Sequence, residues 1–489
     1  MKMNLDDPRL TAYALGELDP DERAHIASQL ALSPELQVVP DLAESWTLSP
    51  DGTIYTFTLN AQAYFSSGRP ITAQDFKFSW ERAADPKTGS TTAETYLGDI
   101  LGFKEKLAGE ADDVVGIQVI DELTLEVTLD GPKPYFLAKL TYPSSFVLDE
   151  NSVKKNLEDW VFEPNASGPF RLREFAPPST IAFEPNPGHP EPAKIPAVVF
   201  RLYLAGESLD YYEQDEIDFA YLGDPEDIRA IQDPAHELHP ELLTTTSMCT
   251  SLVQVNNTLP PMDDPNVRTA FALALDRQKL LDQFSEGFDL LAETILPPAM
   301  PGFSAHLSAT AFDPEAARAA LAASKYGQEL PAVTLLESGY AGEENDYINA
   351  LISMWEENLG IQVELELLDP EDFTRAASET DGHLVSYGWC ADYPDPENFL
   401  DVLYHTESQF NVAGYENPEL DALLEQARTE IDPASRIALY QQAEKLLLSD
   451  HAALPLKHSI DFMLVKPYVK GYVISAIGGR VLHLVYLER

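Results

Sequence analysis

The chain has 489 residues, and its 81 Asp and Glu against 32 Lys and Arg leave a formal net charge of −49. Such a charge repels a phosphate backbone or an anionic membrane surface, so nucleic-acid and acidic-lipid binding are excluded as main roles and a solvated acidic surface is expected. The length suits about three domains, each with its own core, and no run of about eighteen apolar residues is present to cross a bilayer.

Residues 1–41 read as helical. Asp7-Pro8 and Asp19-Pro20 each supply an N-cap and a first-turn proline, Glu22 completes a capping box, and Leu10, Tyr13, Leu15, Ile26 and Leu30 give apolar sides. A helical hairpin is expected, and no basic leader running into an apolar core marks a secretion signal. From Asp41 to about Ala166 the period changes to two. In "TIYTFTL" Tyr55, Phe57 and Leu59 face one way, as do Leu123, Leu125, Val127 and Leu129 in "LTLEVTL", which predicts half-buried strands. Farther on, "DPNVRTAFALALDRQKLLDQF" reads as one helix opened by Asp264 and Pro265, and "NPELDALLEQARTEI" and "DPASRIALYQQAEKLLLSD" repeat the Asx-Pro opening. These helices alternate with strands such as "AVTLLES" and "IQVELELL", so an α/β layer architecture is expected.

Motifs for catalysis are not found: no Gly-Xaa-Ser-Xaa-Gly elbow, no P-loop and no His-Glu-Xaa-Xaa-His, and the ten histidines show no ligand spacing. Neither a metal nor a cofactor is predicted. The segment "SYGWCADYPDPENF", Ser386 to Phe399, is dense in functional groups. Gly388 allows close backbone approach, Trp389 offers a flat apolar wall and Asp392 an anion beside it. The plain alternative is a loop with turns at Pro394 and Pro396, a helix capped by Asp395 and a core Trp389. For Asp395 and Glu397 that structural reading is preferred. Two cysteines in so long a chain are by base rate more often free than bonded.

Seven stretches in order, "DLAESWTLSPDGTIYTFTL", "ITAQDFKFSWERAADPKT", "VIDELTLEVTL", "PYF", "VQVNNTLPPMDDPNVRTAFALALDR", "GWCADYPDPENF" and "LVKPYVKGY", resemble the signatures of extracytoplasmic oligopeptide-binding proteins of ABC importers, the family 5 solute-binding proteins. The resemblance implies a two-lobed periplasmic-binding-protein fold of three domains (type II, cluster C-like), with a hinge between lobes and no catalysis. Mapped onto this chain it places an atypical helical segment at 1–41, a sheet-containing domain at 42–166, a discontinuous domain at 167–248 and 460–489, and a ligand-binding domain at 249–459, with crossings near Cys249 and Ile460. It implies that Asp392 binds a ligand α-ammonium, that Ser386, Tyr387, Gly388, Trp389 and Cys390 line the peptide, and that Cys249 and Cys390 form a disulfide. The expected partners are a peptide and the membrane permease of the importer; an extracytoplasmic location and a monomeric state are expected too.

One departure bears on the ligand. Family members carry an arginine three residues before the tryptophan, where this chain has Ser386, and the other basic positions align with Glu344 and with neutral or acidic residues near Ser285. The ligand is therefore longer, cationic, or not a peptide. Alternatives are an oligosaccharide or metal-complex binder, a signalling receptor, and a glycoside hydrolase pairing Asp392 with Asp395 or Glu397.

Overall fold

The computed structural model describes residues 38–155, 159–202, 208–327, 329–339, 345–370, 372–373, 382–478 and 482–488. The helical hairpin expected before residue 38, and Glu344, lie outside them.

Four antiparallel strands, β1 (Ala43–Leu48), β2 (Ile54–Leu59), β3 (Ile117–Asp121) and β4 (Thr124–Thr128), form the first sheet in the order β1-β2-β4-β3. The predicted alternation sets its inner face. Tyr55, Phe57, Leu59, Leu125 and Val127 are buried there against Trp80, Phe103 and Phe136, each contributing about 1.5–3 kcal/mol of burial. The sheet ends at Thr128, and the described residues from there to 162 supply short helices and turns instead, so among them the strand-rich stretch is shorter than the sequence suggests.

A three-stranded antiparallel sheet follows, β5 (Phe170–Ala176), β6 (Thr180–Pro185) and β7 (Val198–Arg201). Next come β8 (Phe219–Leu222), β9 (Leu242–Val255), β10 (Asp289–Leu291), β11 (Val333–Ser338), β12 (Val363–Leu368), β13 (Leu384–Cys390) and β14 (Ala453–Val465), which share a seven-stranded sheet. Its order is β10-β14-β9-β13-β11-β12, with β8 also on β14.

The long strands β9 and β14 pair antiparallel along most of their length. At one end β14 carries β8; at the other β9 carries β13. One register shift, at Pro455/Lys457, lies opposite the stretch of β9 that carries β13, and a second, at His458/Ile460, lies between the two ends; at such shifts extra residues bend a strand and increase its twist.

β11 and β12 are parallel and joined by the helix Asp346–Leu359. Asn345 caps that helix through its side chain, accepting from the Ile348 N–H at 3.2 Å, and Gly360 ends it at φ 70°, a left-handed position that suits glycine. The helix expected from Asp264 to Phe284 is two helices, Pro265–Leu273 and Arg277–Phe284. Asp276 breaks the run because its carboxylate accepts the Lys279 N–H at 3.0 Å and caps a new start.

Candidate functional site

The candidate segment lies on β13, in the middle of the large sheet. Along one edge β13 pairs with β9 over its full length, from Leu384↔Val255 to Cys390↔Cys249. On the other it meets β11 only at Leu384 and Val385, while β11 continues beside β12. From Ser386 to Cys390 one row of backbone N–H and C=O groups therefore has no strand partner among the described residues. A Cβ placed on Gly388 would meet nothing within 4 Å, so the sheet face is open at that residue.

Side chains organise that edge. Tyr387 and Trp389 share one face, their rings stacked with centroids 6.2 Å apart, and Trp389 also meets Phe410 at 5.3 Å. The Trp389 Nε1–H donates to Asn398 Oδ1 at 3.1 Å, and the Asp392 backbone N–H donates to the same oxygen at 3.0 Å. Trp389 is thus half-buried and held by a hydrogen bond, neither a plain core residue nor a free wall. Cys249 and Cys390 face each other across β9 and β13 and are joined by a disulfide, so the free edge is tied to its neighbour at the Asp392 end.

The Asp392 carboxylate accepts a hydrogen bond from the Tyr96 hydroxyl, which the helix Ala93–Leu97 of the first sheet's unit presents. Tyr96 stacks on Tyr142 with centroids 3.5 Å apart and meets the edge of Tyr393 at 6.2 Å. Burial raises the Asp392 pKa, opposed by Tyr96 and by Asn398 beside it. Among the described residues no cation is paired with it, and its oxygens accept no backbone N–H from its own loop.

The neighbouring carboxylates differ. Arg436 grips Asp395 with two bonds of 2.8 and 2.7 Å, and Asp395 also accepts the Glu397 N–H at 3.0 Å, as a helix-start residue should. Glu397 is buried, 3.0 Å from Lys139 Nζ, and burial first, then Asp401, pushes its pKa up to about 7 although Lys139 opposes. Arg428 holds Asp401 with two bonds of 2.7 Å. Asp395 and Glu397, the two alternative partners of Asp392 in a glycosidase pairing, are each committed to a cation, which counts against that reading.

At the other end of the free edge, Ser386 lies beside the carboxylate of Glu337 on β11, just past the last β11–β13 pair, Leu336↔Val385. Ser285 donates to Asp289 at 2.8 Å, and Asp289 neutralises Lys457 at 2.7 Å, so that neighbourhood carries no surplus cation. The sequence reading missed Tyr96, Tyr142, Asn398 and Glu337. Only Asn398 lay within the quoted segment.

Two cavities, of ≈ 160 and ≈ 390 Å³, lie where the first sheet's unit meets the helices after Pro394. The first is lined by charged groups such as Asp99, Lys139, Glu397 and Arg428, the second by Trp46, Tyr55, Leu137 and Ile437, and neither is lined by residues 386–392. Among the described residues no cluster of His, Cys, Asp and Glu is arranged to hold a metal.

Known proteins share this arrangement. The chain is 32% identical over 448 residues to the periplasmic oligopeptide-binding protein OppA of Escherichia coli (strain K12), covering 88% of this chain and 81% of that one. It is 33% identical over 488 residues to the probable deoxycholate-binding periplasmic protein YgiS of the same organism, covering 94% and 88%. Among solved structures, Haemophilus influenzae OppA in complex with the peptide RPPGFSPFR superposes with a TM-score of 0.77 at 25% identity, covering 96% of this chain and 95% of the other. The fold is the two-lobed, multi-domain one that the sequence resemblance implied. The model of bacterial extracellular solute-binding proteins, family 5, middle region, matches residues 37–411, and the chain belongs to that family.

Proposed function

We propose that this protein captures oligopeptides between its two lobes and delivers them to the permease of an ABC importer, without turnover. The observation that carries this reading is the free edge of β13, which ends at an uncompensated carboxylate. An extended peptide laid along Ser386–Cys390 pairs its own N–H and C=O groups with that edge, whatever its side chains are, and brings its α-ammonium to Asp392. Residues 42–166, with 167–248 and 460–489, are read as one lobe and 249–459 as the other, crossed by β9 and β14. An extracytoplasmic location fits the disulfide, which persists where thiols are oxidised.

A non-peptide amphiphile is the second reading, favoured by the similarity to the probable deoxycholate-binding protein. Mass spectrometry of whatever leaves the purified protein on denaturation separates the two. Peptides with free amines are expected; a steroid-like acid would replace this reading with the second, and conversion of an offered solute would overturn both.

A further inference from the structure

Several charged groups of the interior are balanced by an opposite charge. Asp75 meets Arg69, Asp99 meets Lys139, Asp395 meets Arg436 and Asp401 meets Arg428. Of the carboxylates without a cation among the described residues, two half-buried ones flank the same open strand edge: Asp392 beyond Cys390, and Glu337 beside Ser386. Glu337 lies on β11 one residue past Leu336, the last position at which β11 pairs with β13. It sits where the two strands part.

Its surroundings supply little. Asn345 Nδ2 donates to Glu337 Oε1 at a long 3.4 Å, while Glu337 Oε2 is out of solvent with no hydrogen-bond partner among the described residues. No cation is paired with it there. Burial raises its pKa, with only the Ser386 hydroxyl opposing. A carboxylate in such a place is costly unless a cation arrives with the ligand.

Building on the strand-edge reading above, we propose that Glu337 is a specificity-determining residue that receives a cationic side chain of the bound peptide, so the site selects ligands positive at both the amino terminus and an interior position. The five residues Ser386–Cys390 span about 13 Å at the rise of an extended chain. A peptide anchored at Asp392 then brings its third to fifth residue opposite Ser386, and a lysine or arginine there reaches the gap between β11 and β13. An acidic residue at that position would meet the Glu337 carboxylate and the protein's net charge of −49.

The test is calorimetric titration of the whole, oxidised protein with free-amine alanine pentapeptides carrying Lys, Gln or Glu at position three, four or five. The wild type should bind the best Lys peptide at least tenfold more tightly than its Gln counterpart, and the Glu peptide most weakly. Glu337→Gln should bring the Lys-to-Gln ratio close to one, and Glu337→Lys should invert the order in favour of Glu, with thermal melts confirming that both variants fold. If wild type binds the Lys and Gln peptides equally at all three positions while still preferring a free over an acetylated amine, the role of Glu337 is overturned and the strand-edge reading survives. If no peptide of the series binds, that reading falls and this inference falls with it.

Discussion

Asn398 joins the two most important groups of the candidate site, since its Oδ1 receives both the Trp389 indole and the Asp392 backbone N–H. Asn398→Leu keeps most of the volume and leaves both donors without an acceptor. It should cost about 1–3 kcal/mol in unfolding free energy and weaken peptide binding as the Trp389 ring loses its orientation; an unchanged melting temperature and affinity would contradict this. At this scale the sequence was half legible. Asp392 and Trp389 could be named because they sit in one short motif, whereas Tyr96 bonds Asp392 from 296 residues away, and nothing local to either predicts the meeting. Glu337 was hidden for the same reason: a strand-end glutamate reads as solvated until the neighbouring strand is known.

Among the elements, the helix Pro433–Ser449 buries Glu444, whose Oε1 accepts the N–H groups of Ile295 and Leu296 at 2.8 Å each, while burial pushes its pKa up to about 7 from the ordinary glutamate value of 4.5. With the folded pKa above the unfolded one, the native state holds the extra proton between these values. This group's contribution therefore favours folding at low pH and is lost as pH rises from about 4.5 to about 7. Glu444→Gln keeps an acceptor and removes the titration. Urea unfolding at pH 5 and pH 8 should show the variant gaining stability relative to wild type at the higher pH; a constant difference would contradict it. The disulfide belongs to the same scale. It closes a loop with a sequence separation of 141, so replacing both cysteines by serine should lower unfolding free energy by about 5 kcal/mol in the chain-entropy model, read as a lower denaturation midpoint. An unchanged midpoint would show that the pairing of β9 with β13 needs no crosslink. Elements were legible where a local device sets them, as the period-two face of β2 and the Asn417-Pro418 and Asp432-Pro433 helix starts show. The break at Asp276 was not, because the apolar pattern runs on through Leu275 and only the side chain's bond to Lys279 N–H decides it.

For the whole molecule, Tyr96 and Asp392 join the first sheet's unit to the large sheet, beside the Lys139–Glu397 pair at 3.0 Å and the Gln409 contacts to Thr91 and Thr95 at 2.9 Å. A hydrogen bond to a charged group is worth about 1.5–3 kcal/mol, enough to shift an open–closed equilibrium tenfold or more. Tyr96→Phe keeps the stack on Tyr142 and loses that bond, so the ligand-free variant should show a larger radius of gyration by X-ray scattering than wild type, with peptide restoring compactness. Equal radii would mean that Asp392 does not help to close the lobes.

The central claim is that the free edge of β13 holds an extended peptide by its main chain and that Asp392 holds its α-ammonium. The most direct measurement titrates one pentapeptide, as free amine and as N-acetyl derivative, into wild type and into Asp392→Asn. Acetylation removes the charge and Asp392→Asn removes its partner, so each alone should cost about 1.5–3 kcal/mol, roughly tenfold to a hundredfold in Kd, and the two together little more than either. If acetylated and free peptide bind wild type equally well, Asp392 is not the amine anchor and the account is wrong at its centre.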